Sequence, residues 1–98
     1  MSRGIEGYSV RIVIENDTDR PRTVWVEPWG EDFTLLPKEK LEIIARNDAE
    51  QPWFQVDEFG RRCKVYLETI VNDYEVVQSG VVIQCGHQRQ VAMDAGLW

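Results

Sequence analysis

Soft metal ligands and nucleophiles are scarce in this 98-residue chain, which has one histidine, His87, and two cysteines, Cys63 and Cys85. Three such side chains, well spread in sequence, cannot supply a four-ligand structural zinc site. Two cysteines do not make a disulfide framework either. Both fall in apolar rows and are expected to be buried free thiols. Long hydrophobic runs are also missing, so no segment can span a bilayer. The opening MSRGIEGYSV has no hydrophobic secretion segment, and a cytoplasmic location is the default expectation. Basic residues are outnumbered, with 11 Lys and Arg against 17 Asp and Glu, giving 11 − 17 = −6. That sign excludes unaided nucleic-acid binding, which rests on phosphate neutralisation. It disfavours an anionic membrane surface and permits a basic protein partner. There is no long amphipathic helical pattern, no repeat and no low-complexity tract. The length suits one domain over 1–98, with a lead-in over 1–7 and a tail over 86–98.

What is present is short-range alternation. Over 8–14, Tyr8, Val10, Ile12 and Ile14 share one face of a strand, opposite Ser9, Arg11 and Val13. The Asn16-Asp17-Thr18 triplet matches a glycosylation pattern but reads as turn chemistry before Pro21. Further strands are expected over 22–27, 32–36, 41–45, 53–58, 63–68, 74–78 and 81–85. Asn47-Asp48 marks a loop or one short helical turn, Gly60 and Ser79-Gly80 mark hairpins, and 92–97 is a second candidate helical turn. Seven to eight alternating strands need two inner faces that bury each other. The expected fold is all-β, a small two-sheet antiparallel β-sandwich of immunoglobulin-like or cupredoxin-like topology. A small closed barrel is the alternative.

The chain is organised around residues 23–37, TVWVEPWGEDFTLLP. Pro28 stops a strand because it has no N–H, and Gly30 can take the positive φ of a corner. Trp25 alternates with the Val24 and Val26 row, and Trp53 alternates with Phe54 and Val56. If the valine rows face the core, both tryptophans lie on outer faces. Four tryptophans, including Trp29 and Trp98, are many for so small a core, and exposed tryptophan is common at binding hot spots. The candidate interaction or ligand surface is therefore Trp25, Glu27, Trp29, Glu31, Asp32 and Trp53.

Other chemistry is weaker. Cys85, His87 and Met93 stand in the order of a blue-copper ligand loop, but a second imidazole is lacking and the Cys–His spacing is short. His87 is expected to start the tail with its ring bonded to a backbone carbonyl. Cys85 with His87 lacks the separation usual for a nucleophile and its base. Carboxylates near turns, Glu27, Glu31, Asp32, Asp57 and Glu58, read as solvated or as turn acceptors before glycosidase-like pairs. No calcium-loop pattern surrounds Asp17/Asp19 or Glu31/Asp32. Arg61, Arg62 and Lys64 are too few for a nucleic-acid footprint.

The Glu27-Pro28-Trp29-Gly30 strand end, the Pro37-Lys38-Glu39 turn and the late Cys85-Gly86-His87 segment together resemble a group of small uncharacterised bacterial proteins. The resemblance implies a sandwich of cupredoxin-like shape without the copper ligand set. It implies no activity, cofactor or catalytic residue. The function expected is a non-enzymatic protein-interaction or accessory domain, with a protein partner, a basic one being open, or a homodimer through one sheet face. The alternative is a binder or enzyme of small polar or carbohydrate-like ligands, with Trp25 and Trp29 as floor and nearby carboxylates as hooks. No cofactor, metal ligand or catalytic residue is assigned.

Overall fold

A computed structural model describes residues 7–67 and 73–97. The expectations for the lead-in over 1–6, for the end of the 63–68 strand at 68 and for Trp98 lie outside these residues. Among the described residues, alternation in the sequence becomes eight strands and one short helix: β1 (Tyr8–Glu15), β2 (Arg22–Glu27), β3 (Glu31–Leu35), β4 (Lys40–Asn47), β5 (Phe54–Phe59), β6 (Arg62–Leu67), β7 (Asp73–Gln78), β8 (Val81–Ile83) and α1 (Arg89–Asp94). They form a two-sheet β-sandwich. One sheet has the order β1-β4-β7-β8, the other β3-β2-β6-β5.

All pairings are antiparallel except β2 with β6, which is parallel. Between those two strands the chain turns back into β3, crosses to the other sheet for β4, returns for β5 and turns again. An even number of reversals restores the original direction. Sequence alternation is blind to this, because parallel and antiparallel neighbours share a period of two.

The period-two rows place the core where the pattern requires. Val24, Val26, Phe33, Leu35, Val65 and Leu67 from one sheet face Ile14, Leu41, Ile43, Ala45 and Val76 from the other, all buried. β5 is the least covered strand: Phe54 packs against the core, while Val56 and Phe59 are exposed. Two hairpins use the predicted glycines. Gly60 has φ 61°, and Ser79-Gly80 has φ 52° and 80°, the paired positive angles that match strand twist.

The turn after β1 is organised by Asn16, which is fully buried. Its Oδ1 accepts from the Thr18 N–H at 3.1 Å and the Thr18 hydroxyl at 2.6 Å. Its Nδ2 donates to the Arg20 carbonyl at 2.7 Å and the Leu35 carbonyl at 3.1 Å. Every polar atom of the amide is therefore used in a turn, as the triplet suggested. At the other end of β4, Asn47 Oδ1 accepts from the Ala49 and Glu50 N–H groups at 2.7 and 2.9 Å, and a bend forms there without a helical turn.

Candidate functional site

The chain leaves the sheet after Ile83, two residues before the expected end of that strand. Residues 84–88 then form a strap that runs along the outer edge of β3. Gly86 N–H donates to the Asp32 carbonyl at 2.8 Å, and Thr34 N–H donates to the His87 carbonyl at 2.9 Å. These bonds add a one-residue parallel bridge between Phe33 and His87 and cover an edge that would otherwise be open. Beyond the strap, α1 packs on β3. Ala92 and Leu97 are buried there, and so are the outward-facing Thr34 and its register partner Thr23. The Thr23 and Thr34 hydroxyls have no hydrogen-bond partner among the described residues, and their small side chains let the tail lie close.

Side chains lock the strap. Arg89 grips Asp32 with two bonds, Nε to Oδ2 at 3.0 Å and Nη2 to Oδ1 at 2.6 Å, a bidentate geometry that only arginine offers. The hydrogen bond to Asp32 raises the Arg89 guanidinium above its ordinary value. Gln88 Nε2 donates to the Thr34 carbonyl at 2.7 Å and to Glu39 Oε1 at 2.9 Å. Burial alone would raise the Glu39 carboxyl, but the bonds from Gln88 and from the Leu36 N–H outweigh it and hold Glu39 below its usual range. The His87 ring meets Gln78 Oε1 at 2.9 Å, a side-chain partner in place of the expected carbonyl.

Cys85 corrects a second expectation. Cys63 is buried as foreseen, and burial pushes its thiol up. Cys85 is exposed, because the strap has already left the alternating pattern of β8. Its thiol lies 3.6 Å from Asp32 Oδ1 and 3.7 Å from Arg89 Nη2. Among the described residues, no three His, Cys, Asp or Glu side chains converge to hold a metal ion.

The six candidate surface residues separate into three environments and one outlier. Asp32 is buried, at 1% exposure, and belongs to the Arg89 latch. Trp25 lies on the outer face of its sheet, as the Val24/Val26 burial requires, and is half-buried. It shares with Glu27, Phe59, Lys64 and Leu97 a shallow hollow of about 390 Å³. Arg62 donates to the Leu97 carbonyl at 3.3 Å and holds the tail over that hollow. Trp53 stands apart just before β5, 55% exposed.

Trp29 and Glu31 meet in the third environment. After the cis Glu27–Pro28 bond and Gly30, at φ 67°, the chain re-enters the sheet at Glu31. Trp29 is 46% exposed, and its ring lies on Tyr74 with centroids 4.8 Å apart and planes tilted by 32°. Together with Glu31, Glu75, Val82 and Cys85 this pair lines a groove of about 570 Å³ between the β3 end of one sheet and the β7–β8 end of the other. By alternation with Phe33 and Leu35, Glu31 points toward the inside of the sandwich. Tyr74 does the same by alternation with Val76. The two inward rows thus end at the sandwich mouth in a carboxylate and a phenol. Tyr74 and Glu75 were not legible as site residues, because their strand looked like an ordinary hairpin arm. A further hollow of about 530 Å³ at the opposite end has no aromatic lining and is bordered by both signs of charge, Lys38 and Lys40 with Glu39 and Glu42.

Comparison of the chain with protein-family models, curated proteins and solved structures gives no match.

Proposed function

We propose that this protein is a non-enzymatic protein-interaction domain whose recognition surface is the groove walled by Trp29, Glu31 and Tyr74. The observation that carries the reading is the half-exposed Trp29 stacked on Tyr74 beside a half-buried carboxylate. An aromatic anchor at the centre of a desolvated patch is what binding hot spots are made of. Two residues that could serve acid–base chemistry are instead engaged in holding the strap, Asp32 by Arg89 and the His87 ring by Gln78, and the exposed Cys85 thiol is left without the His87 ring as its base. No helix among the described residues is long and apolar enough to cross a membrane. The reading places the domain in the cytoplasm, whose reducing conditions suit two unpaired thiols.

The test is site-specific photocrosslinking in cells. A photoreactive residue replacing Val82, inside the groove, is compared with one replacing Ser9 on β1, outside it. The groove probe should give a discrete protein adduct that disappears when Trp29→Ala is added. Identical adducts from both positions, or no adduct from the groove, would sink the reading. Sedimentation of the purified chain decides whether the partner is a second copy. A groove of this size also lies in the range of small-ligand sites. Trp29 would then be a stacking floor and Glu31 a hook, and the crosslinked species would contain no second protein.

A further inference from the structure

We propose that the groove receives a basic side chain, lysine or arginine, carried by a partner protein; this rests on the interaction reading above. Charge at the groove points to this occupant. Glu31, Asp73 and Glu75 all line the groove, and none of its described lining residues is Lys or Arg. Arg46 reaches Glu75 at 3.2 Å and Asp73 at 3.5 Å. By alternation with Tyr74 and Val76 these two carboxylates lie with Arg46 on the outer face of their sheet, so Glu31 is the carboxylate that faces the mouth of the groove among the described residues. Glu31 makes no ion pair with any described residue, although it is half-buried at the mouth of the core. A half-buried carboxylate attracts an adjacent cation more strongly than an exposed one, and the pair is favourable when the cation's remaining N–H groups also find acceptors.

The aromatic wall of the groove favours the same occupant. The exposed part of the Trp29 ring offers its π-face or edge to the same space that Glu31 faces. Tryptophan is the best cation–π partner among the side chains. Tyr74 adds a buried hydroxyl with no hydrogen-bond partner among the described residues, an unmet acceptor and donor at the lining. A guanidinium or ammonium brings several N–H donors to such a site. A neutral apolar occupant would cover Glu31 without pairing it, and an anionic one would be repelled. The net charge of −6 acts in the same direction at long range and would speed the approach of a basic surface.

The groove also contains its own reporter. Cys85 lines it and is exposed, whereas Cys63 is buried, so alkylation of Cys85 in the native protein reports occupancy. The probes are an arginine-rich peptide, its lysine, citrulline and glutamate counterparts, and free butylguanidinium. Binding is followed by nitrogen–proton correlation spectra of the whole chain, reading the Trp29 indole and the Glu31 amide, and by the rate of Cys85 alkylation. The arginine and lysine peptides should shift both signals, slow the alkylation and weaken as salt is raised. The citrulline peptide should bind at least about tenfold more weakly, as expected when a charged hydrogen bond becomes a neutral one. Glu31→Gln should erase most of that difference while the spectrum of the rest of the chain stays in place.

Equal binding of the arginine and citrulline peptides overturns the basic side chain and leaves the groove as a recognition surface. Butylguanidinium binding as tightly as the peptides overturns the protein partner in favour of a small cation. If no peptide moves Trp29 or protects Cys85, the proposal fails, and the crosslink from position 82 decides the interaction reading separately.

Discussion

Replacing Asn16 tests how the fold closes its first turn. The side chain is fully buried and makes four hydrogen bonds, two accepted and two donated. The Leu35 bond is buried, and the other three are partly reached by solvent or lie near it. Asn16→Ala leaves the Leu35 carbonyl without its side-chain donor, a loss of about 1–2 kcal/mol where water cannot enter. The partly buried bonds to Thr18 and Arg20 can be replaced by water and lose roughly 0.5 kcal/mol each. The total is about 3 kcal/mol, which for a domain of this size lowers Tm by roughly 12–24 °C. Chemical denaturation monitored by tryptophan fluorescence measures it, with an unchanged m-value as the check that two states persist.

Asn16→Asp sharpens the same argument. It replaces an NH2 donor by an acceptor that faces the Arg20 and Leu35 carbonyls. One oxygen of the introduced carboxyl keeps the Thr18 donors, while the other is buried against two carbonyls, and this burial and repulsion raise its folded pKa above the unfolded value of about 3.9. A carboxyl raised in the folded state binds protons more tightly there, and folding is penalised increasingly as pH rises through that folded value. The variant should therefore be worse than Asn16→Ala at neutral pH and close the gap as pH falls toward about 4. If Asn16→Ala stays within about 0.5 kcal/mol of the parent, or the two variants keep a constant separation with pH, the hydrogen-bond account of this turn is wrong.

The two thiols should behave oppositely: a disulfide reagent at neutral pH should titrate Cys85 in the native protein and reach Cys63 only on unfolding. Rapid reaction of both without denaturant would contradict the burial of β6. Glu39 supplies the pH dependence, since its carboxyl is held below the usual range. Its stabilisation is present above the unfolded value near 4.5 and is lost as pH falls through the lower folded value. Glu39→Gln should flatten the acid limb of the stability curve in that window, and an unaltered limb would show that the Gln88 and Leu36 bonds do not couple to folding.

The amino-acid sequence determined the architecture through its shortest periodicity. Val24/Val26, Leu41/Ile43/Ala45 and Cys63/Val65/Leu67 alternate so regularly that burying one set forces two facing sheets. Pro28, Gly30, Gly60 and Ser79-Gly80 mark corners through backbone properties that need no tertiary partner. The same local rule placed Trp25 on an outer face, where the structure has it.

What the tertiary structure alone decided concerns contacts between distant segments. The parallel β2–β6 pair depends on chain reversals that leave no mark on either strand. The strap departs at Ile83 because β3 has an open edge for its backbone and Asp32 a carboxylate for Arg89, separated by 57 positions in the chain. That latch buries Asp32 and removes it from the surface to which its neighbours Trp29 and Glu31 belong. The 23–37 stretch thus supplied half of the groove. β7 supplied the other half when Tyr74 and Glu75 were brought beside it, a meeting set by how the two sheets pack rather than by either segment alone.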